Sequence, residues 1–188
     1  CYDIPDIMTG RLALVGLALL LSLAFVSSQP PYQRTQWMVS WLDADGDCQN
    51  TRTEVLIAES LVLVHLSPTG CRVIAGQWTD PYSGAILTDP ARLDIDHVVP
   101  LAAAHRAGGW RWSTAQKRVY ANDLDDPDHL MAVSASLNRQ KGDKGPSRWL
   151  PPRDACGYAQ HYQRIMARWS LTLPAADQHA IARACGGR

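Results

Sequence analysis

Four cysteines behind an apolar leader constrain this chain more than any other feature of it. The leader runs from Leu12 to Val26, preceded by Arg11 and followed by Ser27, Ser28, Gln29 and two prolines. Such a run is short for a membrane span and has the charged, apolar and small-residue order of a signal peptide. Cleavage after Ser28 is expected, so residues 1–28 read as a signal peptide and 29–188 as the folded part. An uncleaved anchor is the other reading of the same run. Residues 1–7 precede Met8, a candidate start. Cys1 leaves with the leader, and Cys48, Cys71, Cys156 and Cys185 remain. An even number of cysteines in an exported chain points to two disulfides. Cys48–Cys71 and Cys156–Cys185 are the expected pairs, because each closes a short local loop. No two of the four form a C-x-x-C pair, which argues against a Cys₄ zinc cluster. The expected location is secreted or periplasmic, with no stable membrane insertion once the leader is gone.

What remains is enough for one domain with a small helical appendage. Its alternation of patterns predicts an α+β fold: a small antiparallel sheet with surrounding helices and two disulfides. A short helix is expected around Trp37–Leu42, and Thr53 is placed to cap another through Ser60. Leu61–Leu66, Cys71–Trp78, Ala85–Leu87 and Leu93–Val98 read as strands between Gly- and Pro-rich turns. Pro100 opens a helix that Gly108-Gly109 stops, and Ser113 caps one through Tyr120. His129–Val133 is a short strand, Ser134 begins a helix that ends at Gly142, and helices near 155–169 and 174–184 finish the chain. The second disulfide would staple that last pair.

Two segments carry chemistry. In Leu93-Asp-Ile-Asp-His-Val-Val-Pro100, alternation puts Asp94 and Asp96 on one side of a strand and His97 on the other. A hard oxygen ligand then lies beside a titratable imidazole, which core packing does not require. In the second segment, Asn138 and Lys141 lie three apart on one helical face. Asn offers a carbonyl oxygen to a hard cation, and Lys offers charge to a phosphate. The chain has no net charge, so no global field draws it to nucleic acid or an acidic membrane. Between Asn138 and Arg168, however, seven basic residues (Arg139, Lys141, Lys144, Arg148, Arg153, Arg164, Arg168) face only Asp143 and Asp154. On charge alone that stretch reads as a solvated helical face.

The order Asp96-His97, His129, then Asn138-x-x-Lys-Gly-Asp143 resembles the ββα-metal motif of HNH nucleases. Longer stretches narrow the likeness: Thr51-Arg-Thr-Glu-Val-Leu56, Gly76-Gln-Trp-Thr-Asp-Pro-Tyr-Ser-Gly84 and Asp94-Ile-Asp-His-Val-Val-Pro-Leu101. With Asn138-Arg-Gln-Lys-Gly-Asp143 they are similar to exported bacterial HNH proteins related to the C-terminal nuclease domain of GmrSD-type restriction enzymes. The likeness spans about Tyr32 to the final cysteine. It implies that 29–188 is an HNH nuclease domain with a C-terminal helical pair, around a ββα-metal core. It implies His97 as general base, Asp96 as metal ligand, and Asn138 as a ligand or positioning residue. His129 falls at the middle position of the triad, often Asn, where it would orient the His97 loop or ligate the metal. Lys141 matches a basic position near the scissile phosphate. Arg139 and Lys144, beside it, would grip the backbone without reading sequence.

Phosphodiester hydrolysis needs an activated water and neutralised phosphoryl oxygens, which a histidine near neutrality and one divalent cation can supply. Oxygen ligands point to Mg²⁺ or Mn²⁺, and a nearby His129 widens the choice to Zn²⁺ or Ni²⁺. The expected activity is therefore a secreted metal-dependent endonuclease, a monomer, acting on DNA ahead of RNA with little sequence specificity. Its rivals are a catalytically silent extracellular nucleic-acid-binding module and a structural module whose Asp-His pair holds zinc. Other features weigh less. Asp43-Ala-Asp-Gly-Asp47 with Glu54 imitates calcium-loop spacing, but Cys48 stands where such a loop needs Gly, so a polar turn is expected. His65 and His105 read as structural, His161 and His179 as surface residues, and Arg52 with Glu54 as a buried ion pair. Trp110, Trp112 and Trp149 read as core anchors rather than base-stacking platforms.

Overall fold

The structure is a computed structural model describing residues 29–186. The expectations for the leader, including cleavage after Ser28 and a start at Met8, lie outside the described residues. Both expected disulfides are present, Cys48–Cys71 and Cys156–Cys185, across 23 and 29 residues of sequence. Among the described residues, six α-helices and three small antiparallel strand pairs make a mixed α+β fold.

The first half of the chain is turn-rich. A single 3₁₀ turn, Arg34–Gln36, replaces the helix expected at Trp37–Leu42. Trp37 is fully buried there while Val39 is 87% exposed, so one aromatic anchor, not a helical stripe, fixes the segment. Helix α1 (Thr51–Ala58) starts at Asn50, whose side chain accepts from the Thr53 N–H. Strands β1 (His65–Leu66) and β2 (Val73–Ala75) pair around the disulfide turn, and β3 (Trp78–Thr79) pairs with β4 (Ile86–Leu87). These are far shorter than the strands expected. Leu61 and Leu63 are exposed, so the apolar run that suggested a strand has no partner face. His65 is exposed as well, not a packed structural histidine.

The second half follows its sequence signals closely. Strand β5 (Leu93–His97) leads through Pro100 into helix α2 (Leu101–Arg106). Helix α3 (Thr114–Ala121) begins with a reciprocal capping box between Ser113 and Gln116. Strand β6 (Leu130–Ser134) returns antiparallel to β5 with His97 opposite Leu130 and Leu93 opposite Ser134. Helix α4 (Ala135–Lys141) follows β6 without a loop and ends at Gly142, whose φ of 56° and ψ of −125° suit glycine. Helices α5 (Ala155–Arg168) and α6 (Ala175–Ala184) complete the chain, joined by the second disulfide.

Two apolar clusters hold these parts. One side of β5 and β6 presents Leu93, Ile95, Leu130 and Ala132 to Val55 and Leu56 of α1 and to Trp78. The larger cluster gathers Trp37, Tyr82, Val98, Ala104, Tyr120, Ile165 and Met166 between α2, α3 and α5. Helix α4 covers the other side of the strand pair. The unit β5, β6 and α4 is thus two antiparallel strands with a helix across one face.

Candidate active site

Strand and helix periodicities mesh on that face. Asp94 and Asp96 are two apart on β5 and point the same way, while Asn138 and Lys141 are three apart on α4. Asn138 Nδ2 donates to Asp94 at 3.2 Å. Lys141 Nζ donates to both Asp96 oxygens, at 2.7 and 2.8 Å, and to the His97 carbonyl at 2.7 Å. The Tyr82 hydroxyl donates to Asp96 as well. Asp96 and Lys141 are 4% and 0% exposed. Burial pushes the Asp96 carboxyl up and the Lys141 amine down, and each charge opposes the shift of the other. All three donors of the Lys141 ammonium are used inside the protein. It therefore does not reach the cleft where a substrate phosphate was expected to meet it.

His97 lies on the opposite face of the strand. Its Nε2 donates to the Ala121 carbonyl at 2.9 Å, and its ring stacks parallel to those of Trp41 and Tyr120. A carbonyl can only accept, so Nε2 carries the proton and Nδ1 the lone pair. Nδ1 makes no hydrogen bond among the described residues. Burial, reinforced by His129, Lys141 and Arg34, lowers the His97 pKa to about 3, against the hydrogen bond to Ala121. The ring is neutral at neutral pH. The Ala121 carbonyl is available because the last carbonyls of a helix have no partner within it. The Tyr120 carbonyl, one residue earlier in the last turn of α3, is used in the same way by His129 Nε2 at 2.8 Å.

A cleft of about 290 Å³ brings Asp96, His97 and Asn138 together with Tyr32, Arg34 and Asp143. His129 is not part of it. It is fully buried against Tyr120, with its backbone carbonyl accepting from the Val98 N–H at 3.1 Å. Of the two roles open to it, orienting the end of β5 matches this position and ligating an ion in the cleft does not. Arg139 is exposed and borders a different depression, with Arg92 and Ser136. Lys144 Nζ donates to the Gln140 carbonyl. Arg34 is the cleft residue that motif reasoning misses. It is an exposed guanidinium that a lone arginine near the start of the folded part does not advertise.

His105 is structural as expected, its Nε2 donating to the Pro30 carbonyl at 2.8 Å. His161 is half-buried rather than surface-lying, with Nδ1 3.2 Å from Asp128, and His179 is exposed. Arg52 does not pair with Glu54, because residues two apart on a helix face apart. Arg52 donates instead to the Pro90 and Leu93 carbonyls, both at 2.9 Å. The basic stretch is partly neutralised: Arg164 pairs with Asp126 and Asp128, and Arg168 with Asp123, Asp125 and Asp126. The Asp43, Asp45 and Asp47 carboxylates lie within 4.8 Å of one another on the surface. Asp43 accepts from the Gly46 and Cys48 N–H groups, as in the polar turn expected.

No helix among the described residues is long and apolar enough to cross a membrane. No family model matches the chain, and no solved structure matches it. A relative in the fungus Arthroderma benhamiae, described as an uncharacterized secreted protein, is 34% identical over 182 residues. The similarity covers 95% of this chain and 84% of the relative. Secretion, expected from the leader and the disulfides, agrees with the relative's description. The chain is a secreted protein and belongs to the family of this fungal one.

Proposed function

We propose that the protein is an endonuclease of the HNH kind, hydrolysing phosphodiester bonds of nucleic acid. The observation that carries the reading is His97. Its Nε2 is tied to a carbonyl, its Nδ1 holds a free lone pair, and His97 is one of the residues that line the cleft with Asn138. Burial and stacking keep the ring neutral and oriented, and the same burial, which holds its pKa at about 3, makes it a weaker base than the histidine near neutrality expected from the sequence. His97 takes the proton of the attacking water on Nδ1, and Arg34 offers charge to the phosphate in the same cleft.

The donor set fits a divalent ion through oxygen. Asn138 uses its Nδ2 on Asp94, so its Oδ1 is a hard donor without a partner among the described residues. Asp96 lines the same cleft but is already neutralised by Lys141. With His129 outside the cleft, Mg²⁺ or Mn²⁺ suits the donors better than Zn²⁺ or Ni²⁺. Asn138 Oδ1 would hold the ion first, with Asp96 the weaker partner. When bound, such an ion polarises the phosphate and the leaving oxygen.

One observation favours a second reading, a catalytically silent module that binds nucleic acid: the carboxylate expected to hold the ion is saturated by an internal ammonium. Plasmid cleavage by the oxidised protein separates the two. Nicking is expected with Mg²⁺ or Mn²⁺, absent with EDTA, and reduced at least about a hundredfold in His97→Ala. Folded protein that cleaves neither DNA nor RNA with any of these ions would leave the silent module.

A further inference from the structure

Behind α2, apart from the His97 cleft, lies a pocket of about 430 Å³, within the range of small-ligand sites. The two adjoin through that helix. Leu101 and Ala102 line the cleft, Ala103 and Arg106 line the pocket, and Arg106 pairs with cleft residue Asp143 at 2.7 Å. The pocket's apolar walls include Ala103 and Met166. Two polar groups face it from the interior. Tyr162 is 2% exposed, and its hydroxyl makes no hydrogen bond among the described residues. Asp177 is 5% exposed; its Oδ1 accepts from the Ser147 N–H at 2.8 Å, while Oδ2 is unpartnered. At the rim, Arg148 makes no ion pair among the described residues.

A buried carboxylate oxygen asks for an N–H donor, a free hydroxyl for a donor or acceptor, apolar walls for a flat face, and an unpaired guanidinium for a phosphate. One ligand class has all four. We propose that this pocket is a subsite for an unpaired base of a nucleic-acid strand whose phosphate lies at Arg148. The proposal rests on the nuclease reading for its substrate class. A base inside a duplex cannot enter without being flipped out, so the subsite selects single strands. Guanine matches best: its pairing edge offers adjacent N–H donors to Asp177 and an acceptor to the Tyr162 hydroxyl.

The test is fluorescence anisotropy of a short labelled guanine-rich strand, alone and as a duplex, with the oxidised protein in EDTA so that nothing is cleaved. Counterion release alone favours the duplex, which carries more charge per length. The subsite predicts the reverse, with the single strand bound about tenfold tighter. Asp177→Asn keeps an oxygen for Ser147 but turns a donor toward the base, and should erase that preference. Tyr162→Phe removes only a hydroxyl and should weaken single-strand binding severalfold if the first variant folds poorly. Arg148→Ala should weaken both forms. Duplex bound as tightly as single strand, or Asp177→Asn and Tyr162→Phe binding like the parent, would overturn the subsite. Cleavage without single-strand preference sinks the subsite alone. Single-strand preference without metal-dependent cleavage sinks the nuclease reading and leaves the subsite in a binding module.

Discussion

Lys141 is the residue whose surroundings differ most from what its sequence context suggests. A lysine three positions after Asn138 and just before Gly142 reads as a surface cation near a phosphate. It is instead fully buried, with its ammonium on both Asp96 oxygens and the His97 carbonyl. Removing one member of a buried pair leaves the other charge without compensation, which costs about 3–5 kcal/mol. Lys141→Met should therefore lower stability by that amount in urea unfolding. Adding Asp96→Asn should recover much of the loss, and a double variant no better than the single would show that the pair is not coupled. Glu59 gives a residue-scale prediction in pH. Burial, assisted by Asp128, raises its carboxyl from 4.5 to about 7, while the Ala132 N–H it accepts pulls the other way. Between those values the folded protein holds a proton that the unfolded chain has released. Stability from this group is full below about pH 4.5 and is lost as pH rises through 7, by at most about 3 kcal/mol. Glu59→Gln, still able to accept from Ala132, should flatten that decline and be the more stable form at pH 8. A parent and variant with parallel pH profiles would contradict the assignment.

At the scale of elements, legibility followed local chemistry. Helices with a written start and stop match their sequence signals within a residue or two: α2 behind Pro100, α3 behind Ser113, α4 before Gly142. So does the β5 strand, because its apolar alternation ends on Asp-His. The strands between Leu61 and Trp78 do not, since apolar runs there face solvent, and two-residue pairings leave almost no period to read. The ordered motif placed His97, Asp96 and Asn138 around one cleft, but order along a chain does not say which side chain consumes which. That is why the Lys141–Asp96 pair, the burial of His129 and the arrival of Arg34 all escaped it. Helix α3 shows what an element adds beyond its own residues, because its last-turn carbonyls hold both His97 and His129. Its start is set by the Ser113–Gln116 capping box, so Ser113→Ala should cost about 1 kcal/mol, read as a shifted urea midpoint with an unchanged slope. An unshifted midpoint would mean that tertiary packing alone fixes α3.

For the molecule as a whole, the question is what role a metal would have: part of the chemistry or part of the scaffold. A structural zinc site supplies folding free energy outright, so a chelator unfolds such a domain. Here the scaffold has other supports. Two apolar clusters back the site, one against Leu93 and Ile95 of β5 and one around Val98 just past its end, and the site's own charge pair is internal. The disulfides close loops of 23 and 29 residues, each worth about 3 kcal/mol in the chain-entropy account. The Cys156–Cys185 bridge ties α6 to α5. EDTA should then leave the melting temperature within about a degree while abolishing cleavage, and reduction should lower it by several degrees per bridge. The contrast between the two treatments is the measurement. A large fall in Tm with EDTA under oxidising conditions would assign the metal to the scaffold and favour the structural module over the enzyme. An unchanged Tm with lost cleavage would assign it to the His97 cleft.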